Sequence, residues 1–126
     1  VDPFAHANHT SFLGWFEALR NLYLEAAGLP RLSIGTPGPV LMTLAVRYLR
    51  PLAYHEPVFV TARVKSMRRT SFVMDYAACA DVEHGAGCAC SCEAVIVLVV
   101  NATGEKAAIP DAVRAAFRDL DAPAET

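Results

Sequence analysis

The first residues of the chain, Asp2-Pro3-Phe4-Ala5-His6-Ala7-Asn8-His9, set a carboxylate, an imidazole and an amide immediately ahead of a strongly patterned apolar segment. If that segment is a helix, its free backbone N–H groups and the positive end of its dipole face Asp2, His6 and Asn8. A carboxylate can attack a polarised carbonyl or activate water against it, while donors aimed at the carbonyl oxygen stabilise the oxyanion. The chemistry that suits this set is attack on an acyl group. On spacing alone, Asp2-Pro3 also reads as a turn and Asn8 as a helix cap.

Two further groups carry chemistry. Glu17 stands within the expected helix and is either a second carboxylate near the cleft or the i,i+3 partner of Arg20 on a solvated face. Arg68, Arg69, Thr70 and Ser71 occupy a short polar joint between two extended segments. Arginine suits phosphate because its fork binds two oxygens at once, although two loop arginines can equally be solvated. The cysteines cluster as Cys79, Cys88, Cys90 and Cys92. The last three share one strand face with successive residues nearly 7 Å apart, too far for adjacent pairs to bond or for one strand to wrap a zinc. They read as small core residues in a reducing compartment. No phosphate-binding loop, dinucleotide glycine motif, zinc signature or Gly-x-Ser-x-Gly elbow occurs, which removes nucleotide hydrolysis, hydride transfer and serine-hydrolase chemistry.

Positioning these groups falls to a simple series of elements. Phe12, Leu13, Trp15, Phe16, Leu19, Leu22, Tyr23 and Ala26 recur at helical spacing, predicting a helix over 10–27 that Gly28 and Pro30 end, with Glu17, Arg20, Asn21 and Glu25 mostly on the other side. Extended segments follow over 40–49, 57–67, 71–83 and 87–101. Short polar joints at 54–56, 68–70 and 84–87 suggest hairpins and an antiparallel meander. A terminal helix over 111–120 has Asp111 as its candidate cap, and an Ala-rich tail expected to fray follows Leu120. One helix followed by four long strands predicts an α+β domain with an antiparallel sheet wrapped around the helix.

With 126 residues, 54% of them hydrophobic and 19% charged, the chain fits one domain, 1–126, with a large core. So high an apolar fraction predicts burial between subunits, and the segment 94–100 has Val95, Val97 and Val99 on a second face in need of cover. A net charge of -2 without a basic run gives no footprint for nucleic acid or an anionic membrane. No apolar run reaches the ~20 residues of a membrane helix, and the start does not resemble a signal peptide.

The opening motif, with Phe12-Leu13-Gly14-Trp15-Phe16-Glu17-Ala18-Leu19-Arg20, resembles acyl-CoA thioesterases of the hotdog superfamily, in their 4-hydroxybenzoyl-CoA thioesterase-like branch. Val46-Arg47-Tyr48-Leu49-Arg50-Pro51-Leu52, Arg69-Thr70-Ser71-Phe72, Ala94-Val95-Ile96-Val97-Leu98-Val99 and Ile109-Pro110 are similar to later segments of that family in the same order, so the likeness spans 2–117. It implies a hotdog fold with one long central helix and an acyl-CoA or acyl-carrier thioester, fatty or aromatic, as substrate. It also implies catalysis by Asp2, His6 and Asn8, and coenzyme A held near Arg68, Arg69, Thr70 and Ser71. It brings no metal or organic cofactor, a homodimer or homotetramer with a site between protomers, and a cytoplasmic enzyme. The family has a strand before the Asp motif, and the chain starts at Val1, so an incomplete N-terminus is expected. The alternatives are a non-catalytic acyl-CoA-binding hotdog module and a hotdog hydratase or dehydratase acting on enoyl or hydroxyacyl thioesters.

Overall fold

A computed structural model describes residues 9–29, 37–51, 57–80, 87–100 and 102–125 of the chain. The first element, α1, is His9–Ala26, within a residue of the predicted span. Phe12, Phe16 and Leu24 form its buried stripe. It ends in a Schellman motif. Gly28 adopts a left-handed φ of 85°, its N–H bonds Glu25 O at 3.0 Å, and Leu29 N–H reaches back to Leu24 O at 2.9 Å. Leu24 and Leu29 are both buried, supplying the apolar contact that accompanies this cap.

Arg20 departs from expectation. One turn from both Phe16 and Leu24, it is half-buried, and its Nη1 donates to the Tyr76 hydroxyl at 3.4 Å. Glu17 is exposed, and the Glu17–Arg20 pair does not form. Phe16 stacks on Tyr76 at 5.3 Å and brings the guanidinium down beside the phenol.

Five strands make the sheet: β1 (Gly38–Tyr48), β2 (Phe59–Met67), β3 (Ser71–Cys79), β4 (Cys88–Val99) and β5 (Ala124–Glu125), in the order β1-β4-β3-β2-β5. The first four are antiparallel to their neighbours and β5 runs parallel to β2. β2 and β3, and β3 and β4, are adjacent antiparallel neighbours as predicted, whereas β1 and β2 are not neighbours; residues 52–56 and 81–86 of the predicted joints lie outside the described residues. β1 pairs with β4, so the chain crosses from one side of the sheet to the other before β2. The reason lies in β4, which is apolar on both faces along 94–99 and is buried best between two neighbours.

The core fills one face of the sheet. β3 contributes Phe72, Met74, Tyr76 and Ala78, and opposite them β4 contributes Ile96, Ala94, Cys92 and Cys90. α1 lies on this face with its backbone closest to β2 and Phe16 reaching Tyr76 of β3. The second helix, α2 (Asp111–Asp121), shares this face, with Phe117 set 5.0 Å from Phe72 and 6.0 Å from Tyr23. Its N-cap is Pro110 with no side-chain bond, so Asp111 does not cap it. Asp111 sits in the first turn, where its charge complements the dipole.

The tail after Leu120 is ordered by specific contacts rather than frayed. Ala122 takes a left-handed φ of 47°, and Ala124 and Glu125 pair with Ser66 and Met67. Glu125 accepts two bonds from Arg118, at 2.6 and 2.9 Å, and its carboxyl is held below the usual range by them. Asp121 ties three elements together, its Oδ2 accepting the Tyr23 hydroxyl of α1 and, at 2.9 Å, the Val64 N–H of β2.

The cysteines split. Cys90 and Cys92 are buried free thiols, as expected, and burial pushes each up to about 11. Cys79 and Cys88, however, are cross-strand partners joined as a disulfide. The bond runs across the β3–β4 hairpin, where spacing along a single strand could not reveal it. The apolar surface also lies elsewhere than predicted. Val97 is 6% exposed within one chain, whereas β1 shows Leu41, Met42, Leu44 and Tyr48 to solvent. Among the described residues no helix is long and apolar enough to cross a membrane.

Asp121→Ala leaves two donors without their acceptor, and a loss of about 2 kcal/mol in urea unfolding is expected. Burial first, then Asp121, raises the Tyr23 phenol above its ordinary value of 10.0. The unfolded phenol therefore ionises before the folded one, and stability should fall as pH rises above about 10. Tyr23→Phe should flatten that decline.

Candidate active site

Asp2, His6 and Asn8 lie outside the described residues, and α1 opens at the residue after them. The surroundings of that opening are defined. The first turn of α1 contains no acidic residue, so no carboxylate there competes for the positive end of the dipole. Phe12 meets Trp15 edge-on at 5.3 Å and Tyr48 at 6.2 Å. Tyr48 ends β1, is 53% exposed, and lies opposite Cys90 of β4. The helix thus begins beside the Tyr48 end of the sheet, against an apolar surface that the chain itself leaves uncovered. In the sequence Tyr48 stood in a predicted strand and in the segment 46–52, and neither signalled its contact with Phe12. Glu17 faces solvent in the third turn of α1 and meets no cation among the described residues.

Arg68, Arg69, Thr70 and Ser71 form the β2–β3 hairpin. Arg68 N–H donates to Ser71 O at 2.8 Å, closing the turn. Its outer carbonyls are all engaged: Thr70 O accepts Leu98 N–H at 2.9 Å, Arg69 O accepts Ile109 N–H at 2.8 Å, and Arg68 O accepts the Arg114 guanidinium. The backbone is thereby anchored to β4 and α2, while the Arg68 and Arg69 side chains project from exposed positions without a carboxylate among the described residues. Beside them lies a recess of about 230 Å³ lined by Ser66, Met67, Arg68, Ser71, Phe72 and Val73, with Val95 behind. A cationic fork, that of Arg68, at a small, partly apolar recess, with exposed Arg69 next to it in the chain, suits a phosphorylated ligand.

These two regions are not adjacent in one chain. Ser71 pairs with Val97, and Ala78 pairs with Cys90 beside Tyr48, so the hairpin and the start of α1 lie at opposite ends of the sheet, about 23 Å apart by strand rise. A second depression, of about 640 Å³, opens on the far face of the sheet. Four of its charged lining residues are paired, Arg63 with Asp75 and Lys65 with Glu93, each at 3.1 Å, and Arg47 also lines it. Among the described residues no three His, Cys, Asp or Glu side chains are grouped to hold a metal.

Comparison with known proteins bears on the whole of this arrangement. The model of the thioesterase-like superfamily matches residues 1–117. A thioesterase-superfamily protein from Jannaschia sp. CCS1 is 30% identical and superposes with a TM-score of 0.84 over all of this chain and 79% of its own. A thioesterase from Thermus thermophilus, crystallised with coenzyme A and Zn, is 27% identical with a TM-score of 0.75, over 96% of this chain and 85% of its own. A 1,4-dihydroxy-2-naphthoyl-CoA thioesterase from Synechocystis, at 18% identity and a TM-score of 0.77 over 98% of this chain and 90% of its own, shares the fold. No curated protein matches at a significant level. With nearly the full length matched, from ahead of the opening carboxylate into α2, the chain belongs to the thioesterase-like superfamily and is a thioester hydrolase.

Proposed function

We propose that this hydrolase cleaves an acyl-CoA, fatty or aromatic, to a free acid and coenzyme A, with α1 as the central helix of a hotdog fold. The family match across residues 1–117 carries the reading, because it includes the opening motif as well as the sheet. The thioester carbonyl rests at the start of α1 near His6 and Asn8, where first-turn N–H groups receive the developing oxyanion. Asp2 supplies the carboxylate that attacks the carbonyl or activates the attacking water. Neither route needs a metal or an organic cofactor. Arg68 and Arg69, with Thr70 and Ser71, hold the phosphates of coenzyme A.

The separation of the two regions supports a site shared by two protomers. Antiparallel pairing of β1 with β1 of a second copy reverses the sheet direction, which carries the hairpin end of one protomer toward the α1 end of the other. The same pairing covers Leu41, Met42, Leu44 and Tyr48.

A hydrolysis screen over short, long and aromatic acyl-CoAs identifies the acyl group, and Asp2→Asn should then lower turnover on the order of 10²–10⁴-fold with the fold intact. Full activity in the folded variant removes Asp2 from the mechanism. Acyl-CoA binding without hydrolysis by the parent protein instead favours a sensor.

Replacing Arg68 and Arg69 with Ala should weaken coenzyme A thioesters far more than pantetheine analogues lacking the nucleotide, as measured by isothermal titration. Equal weakening of both counts against phosphate contact. Light scattering should give at least a dimer at micromolar concentration, and Leu44→Lys should shift it toward monomer with loss of activity. A stable, active monomer overturns the shared site.

A further inference from the structure

We propose that Cys79 and Cys88 are a reversible oxidation site, a dithiol–disulfide couple that exchanges with external thiols and clamps the end of the sheet beside the first turn of α1. Cys79 closes β3, Cys88 opens β4, and the two are bonded across the hairpin. The bond lies at the end of the ladder. From Ala78 and Cys90 back to Ser71 and Val97 the strands are held by their own pairing, and the core cluster beneath them includes neither Cys79 nor Cys88. Breaking the bond therefore loosens one end without dissolving the sheet. Cys88 is half-buried and Cys79 is 6% exposed, so Cys88 is the more accessible residue of the pair to an incoming thiolate. Cys90 and Cys92 are buried thiols on the core face and supply no internal nucleophile to reshuffle the pair.

What the bond clamps is specific. Ala80 N–H bonds Gly87 O at 3.3 Å, and the Arg50 guanidinium bonds the same oxygen at 3.2 and 2.7 Å. Leu49 and Arg50 N–H groups both bond Ala89 O, at 2.8 and 3.3 Å. The segment by which β1 leaves the sheet is thus fastened to the turn that the disulfide closes. The residue before it, Tyr48, touches Phe12 in α1. The oxidation site does not rest on the hydrolase reading, although it adjoins the place where that reading puts the acyl group.

Exchange with a dithiol reductant balances in two steps. A reductant thiolate attacks Cys88 Sγ and releases the Cys79 thiolate, which takes a proton. The second reductant thiol then attacks its own sulfur in the mixed disulfide, releasing the Cys88 thiolate, which is protonated, while the reductant leaves as a disulfide. The pair gains two electrons and two protons, and glutathione disulfide reverses the change.

The test incubates the full chain in dithiothreitol or in glutathione disulfide, alkylates it natively, and reads each cysteine by peptide mass spectrometry alongside amide exchange. Cys79 and Cys88 should label only after dithiothreitol, and Cys90 and Cys92 only after denaturation. Amides of Leu49, Arg50 and Ala80 should exchange on the order of 10-fold faster when reduced, while Met74 and Tyr76 keep their protection. A variant with Cys79→Ser and Cys88→Ser should exchange at the reduced rate in both buffers. Three results overturn the proposal: equal labelling of Cys79 and Cys88 in both buffers, resistance of the native bond to dithiothreitol, or loss of protection throughout the sheet on reduction. The last makes the bond a structural staple.

Discussion

The structure depends on one packing constraint, the seating of α1 on the core face of the sheet, its backbone closest to β2 and its Phe16 ring stacked on Tyr76 of β3. Phe16 and Tyr76 are both buried, and their stacked rings fix the height and register of the helix over the sheet. Interiors pack near crystal density, so the sizes of those few side chains set where the helix axis can lie. That placement fixes where the helix begins, beside Tyr48, and hence where any group held by its N-terminus must act. It also draws Arg20 inward to the Tyr76 hydroxyl, away from its sequence neighbour Glu17.

The same sheet is finished differently at its two edges. On the β2 side, Asp121 caps the Val64 N–H, and β5 is held by Arg118 and Glu125, so that edge is partly closed by the chain's own C-terminal segment. On the β1 side no described residue does so, and a bulge between Leu41 and Thr43 leaves Met42 in the open. An unclosed strand with an apolar face is a template for pairing, and natural proteins either mask such edges or use them for assembly. Masking at one edge and exposure at the other gives the molecule a direction in which a second copy can add. Because the coenzyme-binding and carbonyl-binding regions proposed above lie at opposite ends of the sheet, that direction matters for chemistry as well as for burial.

Hydrophobic spacing and helix-end chemistry were enough to locate α1, α2 and the principal strands, because each is a local pattern with its own period. Gly28 ended the helix as a left-handed residue must, and the Arg68–Ser71 joint formed a hairpin. Other features depended on partners distant in the chain. Alternation along β4 showed that Cys88, Cys90 and Cys92 share a face, but only the register with β3 set Cys79 against Cys88. Polar joints looked alike, and only the burial needs of β4 on both faces placed β1 beside it rather than beside β2. Asp121 fell just past the predicted helix, in the tail expected to fray; its two acceptor bonds required α1 and β2 to converge on it.

The sequence by itself therefore determined the elements, the α+β class, the likeness to thioester hydrolases and the residue types fit to attack an acyl group, since these follow from local spacing and side-chain chemistry. Tertiary structure alone decided the strand order, the pairing of Cys79 with Cys88, the inward turn of Arg20 and the exposed face of β1. It also decided that the hairpin and the helix start stand about 23 Å apart within one chain. The reason is that register and burial are set by side chains meeting across strands, and a linear pattern records which residues can be buried but not which of them will face one another.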